Sequence, residues 1–104
     1  MRLTTILWKD IFVDKLEAKH GITTDEAEQV LFSRAHVRRV QKGRVKGEDV
    51  YVAYGTTMDA RYLVVFFIRK GAAALPISAR DMTAAERSYY EQKRWPDSGS
   101  VRQL

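Results

Sequence analysis

Seven consecutive apolar residues, Tyr62-Leu63-Val64-Val65-Phe66-Phe67-Ile68, stand between Arg61 and Arg69. The run falls far short of the roughly 20 residues that a membrane-spanning helix needs. Its β-branched and aromatic content suits a strand. Alternate residues of a strand face opposite ways, so a run that is apolar at every position must be covered on both sides. The chain therefore needs a central strand with packing on each face, and its other segments must supply the neighbours and the covering layers.

Those segments are legible. Val50 to Thr56 is rich in strand formers, Gly71-Ala72-Ala73 makes a hairpin turn, and Leu75 to Ala79 reads as the returning strand. Pro76 has no N–H for a ladder, which places that strand at an edge or makes its pairing imperfect. Ile6-Leu7-Trp8 is a short opening strand. Lys9 to His20 carries Ile11, Phe12, Leu16 and Ala18 at helical spacing, with Gly21 as the stop. Thr23 and Glu26 form a capping box that opens a second helix, with Ala27, Val30 and Leu31 on one face until about Ser33. A second capping box, Thr83 and Glu86, opens a third helix running to about Arg94, and Pro96 stops it. The expectation is one α+β domain over residues 1–95. It has an antiparallel sheet, two N-terminal helices and one C-terminal helix, and residues 96–104 form a flexible tail.

Charge narrows the function. Eighteen Lys and Arg against 13 Asp and Glu give a net +5, which favours a polyanionic partner, nucleic acid or an acidic protein. Cysteine is absent, and the first eight residues do not make a signal peptide, so a soluble, cytoplasmic protein with no membrane association is expected. With two distant histidines and no thiolate there is no zinc-ligand set. The scattered Gly43, Gly47, Gly55 and Gly71 make no phosphate loop, so no metal and no cofactor are expected.

Several basic groups are candidates for chemistry. Arg34, His36, Arg38, Lys42, Arg44 and Lys46 all fall on even positions, a cationic stripe if the chain is extended there. Such a stripe suits an RNA backbone through Arg38, Lys42 and Arg44, or else it is a solvated face. A turn centred on Ala72 brings Ser78 to Arg80 opposite Phe66 to Val64, which carries Arg80 to the Arg61 end of the hairpin. An Arg61–Arg80 pair would suit the extra charge of a phosphorane-like transition state, with Arg69 at the other rim, unless these are surface ion pairs. His20, beside Lys19, suits proton transfer or a helix-dipole contact, and His36 is its sole competitor. Tyr90 suits base stacking, or packing at a helix–sheet seam.

At these residues the chain resembles the BrnT toxins. Lys19-His20-Gly21-Ile22 with Asp25-Glu26-Ala27, Tyr54-Gly55-Thr56 before Arg61 to Phe67, and Ile77-Ser78-Ala79-Arg80 with Glu86-Arg87 and Tyr90 carry the likeness. Leu16, Thr24 and Pro76 depart from the pattern. The resemblance implies a RelE-like fold and an endoribonuclease toxin of a type II toxin–antitoxin system that cleaves RNA, messenger RNA in particular. It also implies neutralisation by a BrnA-type antitoxin and contact with operator DNA only through that complex. Arg80, Arg61, His20 and Lys19 carry over as catalytic, and Arg69 and Tyr90 as RNA-binding. Without metal ligands, the 2′-hydroxyl of RNA is the expected nucleophile. The alternative is a non-catalytic basic module that binds RNA or protein.

Overall fold

The computed structural model describes residues 3–41, 43 and 48–94. In chain order the elements are β1 (Thr5–Ile6), α1 (Asp10–His20), α2 (Thr24–Phe32), β2 (His36–Gln41), β3 (Val50–Thr56), β4 (Tyr62–Lys70), β5 (Ala73–Asp81) and α3 (Ala84–Arg94). The strands form one sheet in the order β1-β5-β4-β3-β2. All neighbours are antiparallel except β1, which lies parallel to β5. The architecture is the α+β arrangement expected from the sequence. The tail expected over 96–104 lies outside the described residues.

The apolar run is β4, and its two parities go to different layers. Leu63, Val65 and Phe67 join Leu16, Ile22, Ala27, Val30 and Leu31 in the core beneath α1 and α2. Val64 joins Val52, Tyr54, Met82 and Tyr90 beneath α3. Leu16 is thus a core residue of α1.

Helix boundaries follow from local chemistry. Gly21 ends α1 in the left-handed conformation at φ 60, where an L side chain is strained, and its N–H returns to the Glu17 carbonyl. Thr23 and Glu26 form the capping box of α2, and Thr83 and Glu86 exchange the same two bonds at the start of α3. Trp8 Nε1 donates to Glu28 Oε2 at 2.6 Å, fastening the N-terminal segment to α2.

Pro76 lies in an inner strand, because β1 covers the outer edge of β5. The price of placing it there is a bulge: pairing jumps from Phe66↔Ser78 to Phe67↔Pro76, leaving Ile77 unpaired. Of the two expected alternatives, imperfect pairing is found and an edge position is not, since the two-residue β1 is too short to announce a parallel neighbour. Among the described residues, no helix is long and apolar enough to cross a membrane.

Candidate active site

Strand register draws a line across the sheet. His36 pairs with Tyr54, Tyr54 with Val64, and Val64 with Arg80. Residues paired in this way share a face, so all four side chains belong to the α3 layer. Three strand spacings of about 4.8 Å put His36 and Arg80 roughly 14 Å apart along the backbone. Between them in the row stands Tyr54, which is 5% exposed and within electrostatic reach of Arg80. Its ring lies 6.1 Å from that of His36 and 5.2 Å from that of Tyr89. Arg38 Nη2 donates to the Tyr54 hydroxyl at 3.3 Å.

Helix α3 closes this cluster. The Tyr89 hydroxyl is hydrogen-bonded to His36 Nε2 at 2.8 Å, with the two rings edge to face. Burial, reinforced by the nearby Lys93 and Arg38 cations, holds the His36 pKa below its ordinary 6.5. The imidazole is therefore neutral at pH 7, the form that accepts a proton. At the other end of the row, Arg80 grips Glu86 with both arms of its fork, at 2.6 and 2.8 Å, and lies over the Phe66 ring. That fork lowers the Glu86 carboxyl to about 2.

Arg61 is elsewhere. Its guanidinium donates to Asp81 at 2.8 and 3.0 Å, to Glu26 at 3.1 Å, and to the carbonyls of Gly21 and His20. Asp81 pairs with Leu63, a residue of the α1–α2 core, so Arg61 and Arg80 occupy opposite faces of the sheet. The expected pairing of these two arginines around one phosphate is corrected accordingly. The register itself was as expected, with Arg80 opposite Val64. Because side chains alternate, a partner of an even residue of β4 cannot share a face with Arg61. Lys19 and His20 lie on the Arg61 side and are exposed, and the His20 imidazole makes no hydrogen bond among the described residues.

The remaining candidates separate further. Arg69 donates Nε to the Gly71 carbonyl at the far turn. Tyr90 is 3% exposed and packs edge to face on Tyr62, so it is a seam residue and not a stacking platform. Tyr89, half-buried beside it, is the aromatic that reaches the cluster. Arg38 is on the α3 face, whereas Lys42 and Arg44 lie outside the described residues. His36 was weighed only as the rival of His20. The signal for it was there, since it shares parity with Arg34 and Arg38 in the stripe. Tyr54 and Tyr89 carried no comparable signal.

A family model described as the ribonuclease toxin BrnT of type II toxin–antitoxin systems matches residues 8–86. That is most of the chain. The protein belongs to the BrnT family. Among solved structures, the 1.1 Å crystal structure of the Brucella abortus ribonuclease toxin BrnT is similar to it, with a TM-score of 0.60 and 25% identity over 77% of this chain and 99% of that one. No curated protein matches. Membership makes this BrnT protein a ribonuclease toxin of a type II system, with RNA as substrate and an antitoxin as partner.

Proposed function

We propose that this BrnT protein is a cytoplasmic, metal-independent endoribonuclease that cleaves messenger RNA, with its active site in the α3 layer. The observation that carries the reading is the row His36–Tyr54–Val64–Arg80, which gathers a neutral imidazole and two guanidiniums around one tyrosine. His36, steadied by Tyr89, takes the proton from the 2′-hydroxyl. Arg38 and Arg80 supply positive charge from either side of Tyr54, where charge on the phosphate develops. Arg61 is a positioning residue: by holding Asp81 it fixes the end of β5 from which Arg80 projects. Lys19 and His20 then serve the opposite face, and Arg69 the far rim.

The proposed inhibitor is a BrnA-type antitoxin that meets operator DNA while bound to the toxin. The direct test is to induce the chain alone, map RNA ends, and repeat with His36→Gln and Arg80→Ala. New ends and growth arrest that both variants lose support the reading. An unchanged RNA population at equal folded protein returns the chain to the class of non-catalytic basic modules.

A further inference from the structure

Three arginines on the described surface are held by carboxylates. Arg39 pairs with Asp49, Arg61 with Glu26 and Asp81, and Arg80 with Glu86. Another group of cations faces a common space. Between the start of β2, the end of β3 and the C-terminal turn of α3 lies a cavity of about 440 Å³. Arg34, Lys93 and Arg94 line it together with His36, Ser33 and Thr56, and no carboxylate is among its lining residues. Lys93 has only the Tyr89 ring, at 5.6 Å, and Arg34 has no carboxylate partner among the described residues. Arg94 lies over the Tyr90 ring and 3.7 Å from Glu91. Arg34 and Lys93, which face one space with no carboxylate lining it, raise the potential there and favour an anion.

We propose that this cavity is a nucleotide subsite, taking the RNA residue next to the scissile bond by its phosphate. The proposal rests on the ribonuclease reading above and names where the flanking nucleotide goes. Three features support it. The volume is in the range that holds a small ligand. His36 is both a wall of the cavity and a member of the catalytic cluster, so a nucleotide held here lies next to the reacting one. Ser33 Oγ donates to the Val30 carbonyl, which leaves Thr56, Arg34 and Lys93 as donors facing the cavity. Phosphate oxygens accept without donating, and that set of groups matches them.

The experiment measures binding of an all-2′-deoxy hexanucleotide of mixed sequence, which binds without being cut, by fluorescence anisotropy across a salt series. The double variant Arg34→Ala/Lys93→Ala should weaken binding about tenfold or more. It should also flatten the log–log salt slope by about 0.7 for each charge removed. Arg39→Ala, which removes one charge that is already paired with Asp49, should change neither. Cleavage of RNA by the double variant should show a raised KM with kcat much less affected. Equal affinity in the double variant and wild type, or equal loss in Arg39→Ala, overturns the subsite while leaving the ribonuclease reading standing. Weaker antitoxin binding with unchanged oligonucleotide affinity also overturns it, since the cavity would then belong to the protein interface. A wild-type protein that neither binds nor cleaves RNA overturns both.

Discussion

His36 and Arg80, 44 residues apart in sequence, sit on one transverse line of the sheet, and both are in contact with the same helix, α3. The relationship places a proton acceptor and a phosphate-charge partner on a single face without either being near the other in the chain. It also sets the order in which their loss should be felt.

Replacing His36 by Gln should lower kcat by about 10²–10⁴, the range for removing a general base, while Tyr89 keeps a hydrogen-bond partner and the fold persists. The pH profile gives the sign. His36 must be neutral to accept a proton, and its folded pKa is lowered below 6.5 by burial first, then by Lys93 and Arg38. Activity should thus be present above the depressed pKa and lost as pH falls through it. Removing the Lys93 charge should move that limb upward. An acid limb above pH 6.5, or wild-type rate in the glutamine variant, would remove His36 from the mechanism.

Arg80 and Arg61 should part company on substitution. Arg80→Ala should abolish growth arrest while the purified protein remains folded. Arg61→Ala removes a fork shared among Asp81, Glu26 and two carbonyls, with only 29% of its side chain exposed. It should cost about 1–3 kcal/mol in urea unfolding, because the partners are left unsatisfied. Equal stability loss in the two variants, with equal loss of activity, would contradict the division of roles.

Much of the fold could be read because its signals are local. The apolar run, the two capping boxes and Gly21 each act within a few residues, and each marks an element that is present. The pairing of Arg80 with Val64 also came out as expected, although the turn alone does not set it: Lys70 pairs with Ala73 at the turn, and the bulge at Ile77 shifts the rest of β5 by one residue. What failed was the face. Arg61 and Arg80 look like a pair until the alternation across the register is followed, and that alternation sends them to opposite layers. The site was hidden for a different reason. Tyr54 and Tyr89 resemble ordinary packing residues in sequence, and only the crossing of α3 over the β2–β3 pair gives them a polar task. Of the two roles expected of Tyr90, base stacking and seam packing, the structure gives the second; helical spacing alone does not tell which of two adjacent tyrosines points into the seam.

Acid should loosen this fold through three carboxyls. Glu86 titrates at about 2 because of Arg80, against an ordinary value of 4.5. Asp81 is lowered chiefly by Arg61, and Glu26 first by the Thr23 backbone bond and then by Arg61. Depressed carboxyls stabilise the fold above their unfolded pKa, and that contribution is lost as pH falls through the folded value. Tm should therefore decline from about pH 4.5 toward 2. Glu86→Gln should start lower and show a shallower decline. An identical slope in the variant would show that Arg80 does not hold Glu86 in solution.

Gly55 sets how closely α2 approaches β3. A Cβ there would meet Val30 Cγ1 at 2.9 Å and Ser33 Oγ at 3.3 Å. Val30 is wholly buried and cannot swing away. Gly55→Ala should cost about 1–3 kcal/mol by overpacking and displace the Ser33–Ala35 segment that forms one wall of the cavity. Chemical denaturation reads the first effect and oligonucleotide affinity the second. A variant of unchanged stability and affinity would show that the close approach is not needed.

The last prediction concerns how the bond breaks. The groups gathered about Tyr54 are an imidazole, two guanidiniums and the Tyr89 phenol, and such a set serves a nucleophile that the substrate brings with it. RNA brings its 2′-hydroxyl. With His36 accepting that proton, the 2′-oxygen forms a bond to phosphorus and the bond to the 5′-oxygen breaks; that oxygen takes a proton from water, leaving a 2′,3′-cyclic phosphate and a 5′-hydroxyl. Negative charge grows on the non-bridging oxygens during attack, and the guanidiniums of Arg38 and Arg80 are the donors beside it, a role worth several kcal/mol at comparable oxyanion sites. Cleavage should persist in chelator and fail on a substrate whose scissile 2′-hydroxyl is replaced by hydrogen. Arg80→Ala should slow the single-turnover rate far more than it weakens binding, because its contact strengthens in the transition state. Mass spectrometry of the 3′ ends checks the product directly. A 3′-hydroxyl end, an equal rate on the deoxy substrate, or loss of activity in chelator restored by added metal would point to an activated water and overturn this route.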